Sequence, residues 1–101
     1  MKGRNMLKIL KTKELRSTTK VEGIMVQTSD KKWYAVTRLQ PSRNPWFMRA
    51  SLSNQTGRIS MDQHIYMMRC KSKPDLQEGI DLLMKVLNGE ENGPNDKLTY
   101  Y

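Results

Sequence analysis

Apolar and polar positions alternate along the middle of the chain and give way to a helical stripe near its end. Trp46-Phe47-Met48-Arg49-Ala50-Ser51-Leu52-Ser53 is the clearest alternating run. It puts Trp46, Met48, Ala50 and Leu52 on one side of a strand and Phe47, Arg49, Ser51 and Ser53 on the other. Gly23 to Thr28 and Trp33 to Leu39 are rich in β-branched and aromatic residues. With the polar link Ser29-Asp30-Lys31-Lys32 between them, they predict a hairpin. Pro41 to Pro45 interrupts the sheet, because two prolines remove two ladder donors. Asn54 to Arg58 supplies a turn with Gly57, and His64 to Lys71 reads as a further strand.

Leu76, Ile80, Leu83 and Leu87 fall at i, i+4, i+7 and i+11, the spacing of one apolar helix stripe. Ser72 stands where an N-cap would, Pro74 suits a first turn, and Gly89 after Asn88 is a stop. The expected fold class is α+β: an antiparallel sheet of three to four strands with one C-terminal helix packed on one face. Residues 1–20 form a basic N-terminal segment, either a mobile arm or an edge strand, with a helix equally compatible with its period. Residues 21–89 form the single α+β domain, and residues 90–101 a polar tail.

Charge adds direction to this picture. The chain of 101 residues carries a net charge of +8, as +6 over residues 1–20, +6 over 21–73 and −4 over 74–101. A field of that sign draws polyanions and speeds encounter with them. Nucleic acid is the commonest polyanion; an acidic protein surface is its rival. Cys70 is the single cysteine and has no partner for an internal disulfide, so the chain reads as cytoplasmic. No run approaches the roughly 20 apolar residues of a spanning helix, and no membrane partner is expected.

Catalytic signatures are sparse. One histidine and one cysteine do not make a zinc site, and the six glycines are scattered rather than gathered in a phosphate-cradling loop. His64 and Cys70 are an even number of residues apart, which places them with Tyr66 and Met68 as half-buried core positions rather than as a nucleophile and base. The chain is therefore read as non-enzymatic, with no cofactor and no metal.

The sheet face turned away from the helix is the candidate site. If Trp46, Met48, Ala50 and Leu52 point inward, the matching inward set in the hairpin strand is Trp33, Ala35 and Leu39, which leaves Tyr34, Val36 and Arg38 outside. In the later strand, Ile65, Met67, Arg69 and Lys71 are left outside. The outer face then joins Tyr34, Arg38, Phe47, Arg49, Arg69 and Lys71, extended by Arg43 and Arg58 in the flanking turns. Guanidinium groups bind phosphate bidentately and flat rings stack on bases, so this mixture predicts nucleic-acid binding to DNA or RNA. Lys8, Lys11 and Lys13 would add unspecific affinity. The alternative is a small interaction module, docking on an acidic protein partner or on a second copy of itself. The order of strands followed by a helix resembles small DNA-binding folds that read a groove with a sheet. It also resembles compact phage or mobile-element proteins that act as inhibitors or adaptors of a host factor.

Overall fold

The computed structural model describes residues 6–15, 21–40, 46–54 and 59–89. Five strands precede one helix: β1 (Ile9–Leu15), β2 (Val21–Thr28), β3 (Trp33–Leu39), β4 (Trp46–Ser53), β5 (Ile59–Cys70) and α1 (Leu76–Leu87). The strands form one antiparallel sheet in chain order, each pairing with the next. The α+β class stands, but the sheet has five strands rather than three to four. The added strand is β1, whose side chains are exposed from Ile9 to Glu14. An edge strand with neither face buried has no need of apolar alternation, which is why its period is mute. β5 is also longer than its apolar part, running twelve residues from Ile59.

The turn between β2 and β3 closes through Lys31 N to Thr28 O (2.8 Å) and Thr28 N to Lys32 O (3.0 Å). Lys31 takes a positive φ of 72° there, a left-handed conformation that costs an L-residue about 1–2 kcal/mol. The Asp30 carboxylate helps to hold it, accepting from Thr28 Oγ1 and from Lys32 N. These bonds, led by that of Thr28, lower the Asp30 pKa from its ordinary value.

The helix starts at Leu76 behind Asp75, whose side chain accepts from Gln77 N at 3.0 Å. Asp75 is thus the N-cap in place of Ser72, and Pro74 precedes the cap rather than sitting in the first turn. Asn88 closes the other end and Gly89 takes the positive φ of 76° expected of a stop. All four residues of the predicted stripe pack into one core, Ile80 and Leu83 fully buried and Leu76 and Leu87 partly so. From the sheet, that core takes Val26, Tyr34, Val36, Met48, Ala50, Tyr66, Met68 and Cys70. The helix comes close because Gly79 has no side chain: a Cβ there would lie 2.6 Å from Met48 Sδ and 2.7 Å from Val36 Cγ1. Tyr66 Oη donates to Gly79 O at 2.7 Å in the same buried contact.

A second tie joins the two ends of the described fold. Asn88 accepts from Leu7 N through Oδ1 (2.8 Å) and donates through Nδ2 to Leu7 O (3.2 Å). No helix among the described residues is long and apolar enough to cross a membrane.

Candidate functional site

Residues directly opposite each other in an antiparallel ladder share a face, so the register assigns each side chain to the helix face or the outer face. Val36 pairs with Ala50, Tyr34 with Leu52 and Arg38 with Met48. Tyr34, Val36 and Arg38 therefore join the helix-facing set, and Trp33, Ala35, Thr37 and Leu39 lie outside. This reverses the phase expected for β3. Two physical facts hid it. Tyr34, Ala35, Val36 and Thr37 are all buried, so burial does not alternate along β3. The connection to β4 runs through residues 41–45, which lie outside the described residues, and its sequence does not fix the relative parity of the two strands.

Two of the expected site residues are thereby corrected. Tyr34 is buried in the helix-side core, and burial pushes its hydroxyl pKa up. Arg38 is a structural clamp: its Nε donates to Glu22 Oε1 at 2.9 Å and its Nη1 to Pro74 O at 2.7 Å. It binds β3 to β2 and to the segment that leads into α1. Lys73 Nζ lies 3.7 Å from the same Glu22 carboxylate and 5.7 Å from the ring centre of Trp46.

The Arg38 hydrogen bond and the nearby Lys73 and Arg38 charges hold the Glu22 carboxyl below its ordinary pKa of 4.5. A lowered folded-state pKa means that the ionised form favours folding. That contribution is complete above the unfolded value and is lost as pH falls through the folded one. Glu22→Gln is therefore expected to be less stable than the parent at pH 7. The gap should close on acidification below about pH 4, as read from urea midpoints at both pH values. A gap that persists in acid would assign the loss to shape and not to charge.

β5 contains a further reversal. Ala50 pairs with Tyr66 and Ser51 with His64, so Ile65 is the extra residue of a bulge. Ile65 packs against the helix-side core, and His64 crosses to the outer face, where its Nδ1 lies 3.1 Å from Ser51 Oγ. His64 and Cys70 therefore lie on opposite faces. Cys70 is buried, and desolvation with the charge of Glu78 raises its thiol pKa, the opposite of what a nucleophile needs. It lines a groove of about 570 Å3 between α1 and the sheet, together with Met48, Met68, Glu78 and Asp81. Among the described residues no group of three or more His, Cys, Asp or Glu could hold a metal ion.

The outer face does bring together Phe47, Arg49 and Arg69. Phe47 pairs with Arg69, whose guanidinium carbon stands 5.9 Å from the ring centre. Arg49 lies between Thr37 and Met67. Its Nε is buried without a hydrogen-bond partner among the described residues. Lys71 is exposed just beyond the end of β5, and Arg43 and Arg58 lie outside the described residues.

The register adds residues that the sequence placed on the other face or in a segment read as either a mobile arm or an edge strand. Trp33 is outward, and Lys11 Nζ stands 5.9 Å from its ring centre. Lys11 pairs with Gln27 and Lys13 with Met25, both outward positions. Alternating lysines along Lys11 and Lys13 were the available signal; it needed the knowledge that this segment is a strand.

Charge is consequently divided by face. Lys11, Lys13, Arg49 and Arg69 are outward, and no described side chain at an outward strand position is acidic. Glu14 and Glu22 belong to the helix face by register, and Asp75, Glu78 and Asp81 are exposed on or beside α1. Comparison with protein-family models, with curated proteins and with solved structures finds no match to this chain.

Proposed function

We propose that this chain is a non-enzymatic nucleic-acid-binding protein whose ligand lies on the sheet face turned away from α1. The observation that carries this reading is the distribution of charge among the described residues: four cations and two aromatic rings at outward strand positions with no carboxylate beside them, against Glu14, Glu22, Asp75, Glu78 and Asp81 on the helix side, where Arg38, Lys73 and Lys85 offset them only in part. A polyanion approaching the molecule is attracted to the outer face and repelled from the helix. There it meets arginines for its phosphates and flat rings for its bases. Arg49 stands at an outward position with its side chain half-buried among its neighbours on this face.

Neutralising four phosphates gives a plot of log K against log salt with a slope near −3. Replacing Arg49 and Arg69 together by alanine is expected to weaken binding by roughly a hundredfold, at about tenfold for each lost charge-assisted contact. It should also bring the slope to about half. Fluorescence anisotropy of a labelled oligonucleotide across a salt series measures both. Binding indifferent to salt, or unchanged in the double variant, would overturn the reading.

One observation favours a second reading. Met6, Ile9 and Leu10 are large apolar side chains exposed along and just before β1, at the edge of the sheet. They suit a protein contact there, with an adaptor's partner or a second copy. A solution mass twice that of the chain, with no salt-dependent oligonucleotide binding, would favour it.

A further inference from the structure

We infer that the ligand of the outer face is a single-stranded nucleic acid laid across the sheet, with unpaired bases stacked at Trp33 and Phe47, and not a duplex. This inference rests on the nucleic-acid reading above and narrows it.

Width is the first argument. Five strands about 4.8 Å apart span about 19 Å. The major groove of a duplex is about 12 Å wide and admits a helix or a two-stranded ribbon; the minor groove is about 6 Å wide. A face of five strands enters neither. The residues in its middle, Trp33 on β3 and Phe47 and Arg49 on β4, could not reach the base edges of a duplex. They reach a ligand thin enough to lie flat on them.

Relief is the second argument. Ala35, Thr37 and Ser51, all outward in the centre of the face, are buried, and Trp33, Phe47, Arg49 and Arg69 are half-buried. The donors and rings therefore lie low. A duplex is a convex rod and would touch such a surface along a line, whereas a single strand can follow it and present its bases.

Spacing is the third. Trp33 pairs with Ser53, six residues along β4 from Phe47, which separates the two rings by about 20 Å. A cation stands over each ring, Lys11 Nζ over Trp33 and the Arg69 guanidinium over Phe47, each 5.9 Å from the ring centre. Arg49 falls between, two residues from Phe47. The result is two stacking stations with a phosphate contact along the way, set on a diagonal that a strand of several nucleotides can cover. Sheet platforms elsewhere also stack unpaired bases on outward aromatic side chains, with their rings set closer together than these. Single-stranded DNA and RNA share the chemistry it recognises.

The two tryptophans permit a test resolved by face. Trp33 is outward, whereas Trp46 packs against the helix-side core. The full chain carrying Trp46→Phe reports on Trp33, and the chain carrying Trp33→Phe reports on Trp46. Each is titrated with oligodeoxythymidylate, with oligouridylate and with a hairpin duplex at one salt concentration. The expected result is quenching of Trp33 by the single strands, at affinity at least tenfold above the duplex, with the Trp46 signal little changed. Phe47→Ala is expected to weaken single-strand binding about tenfold, the ordinary scale for one lost base stack, while duplex binding stays the same. The two single strands differ in the ribose 2′-hydroxyl and in the thymine 5-methyl group, so unequal binding would mean that one of these is read. Equal or tighter binding of the duplex would overturn the single-strand inference and leave the nucleic-acid reading intact. Quenching of Trp46 alone would move the ligand to the helix face and overturn both the site and the inference. Binding of none of the three would remove the nucleic-acid reading itself.

Discussion

Tyr66→Ala is expected to lower the thermal midpoint by well over 10 °C. Tyr66 is completely buried and is the largest of the fully buried side chains. It stands opposite Ala50, whose small side chain leaves the space above the sheet to the tyrosine ring. Truncating a buried aromatic residue to alanine costs about 3–5 kcal/mol, because the transfer energy is lost and the cavity closes only in part. A domain near this size has only about 5–15 kcal/mol in total. Each kcal/mol moves its midpoint by roughly 4–8 °C. Tyr66→Phe separates the ring from its hydroxyl. It keeps the volume and removes the bond to Gly79 O, and should cost about 1 kcal/mol. Urea titration of both variants checks the split. Equal losses would mean that the hydrogen bond, not the packing, holds the helix in place.

Gly79→Val is the second large effect, and it works from the opposite side of the same contact. The added Cβ alone would lie 2.6 Å from Met48 Sδ, 2.7 Å from Val36 Cγ1 and 2.9 Å from Tyr66 Oη, and valine adds two further carbons beyond it. The methionine sulfur is the far end of a flexible chain and can move away. Val36 is stiff at χ1, and Tyr66 is held by its ring and its hydrogen bond. The helix must therefore lift off the sheet. Overpacking of this kind costs about 1–3 kcal/mol for small additions, and a branched side chain lies at or above the upper end. Gly79→Ala sets two effects against each other. Alanine gains up to about 1 kcal/mol of helix propensity over glycine, and the clash outweighs it. Adding Val36→Ala to Gly79→Ala should recover part of the loss, because the two side chains compete for one space. Strict additivity in that cycle would show that they do not.

The helix was legible in the sequence because its stripe has no competing period. Leu76, Ile80, Leu83 and Leu87 each pack where the spacing puts them. Its start was less so: Ser72 and Asp75 both satisfy the residue preference of a cap, and only backbone geometry selects Asp75. The four later strands could be located from composition, but their mutual phase could not be read. β3 is buried on both faces, and β5 contains a bulge at Ile65 that changes parity within the strand. Alternation thus placed Phe47, Arg49 and Arg69 outside correctly, and misplaced Trp33, Tyr34, Ala35, Val36, Arg38 and Leu39 of β3 and His64 and Ile65 of β5. The lesson is specific to sheets: period two assigns faces within a strand, and only register assigns them between strands. Lys11 and Lys13 escaped the candidate face for another reason. β1 lies at an edge, where nothing in the burial of its side chains marks it as a strand.

The paired bonds between Leu7 and Asn88 also bear on the order in which the molecule assembles. Every strand pairs with its sequence neighbour, so the sheet can grow by successive short loop closures. Leu7 and Asn88 are 81 residues apart. Joining them in an open chain would carry a larger closure entropy than any of those hairpins. Once the meander and helix are in place, most of that cost has been met by contacts already made. The asparagine thus acts as a latch that engages late, and its bonds to the backbone of Leu7 mark completion of the fold rather than its nucleation.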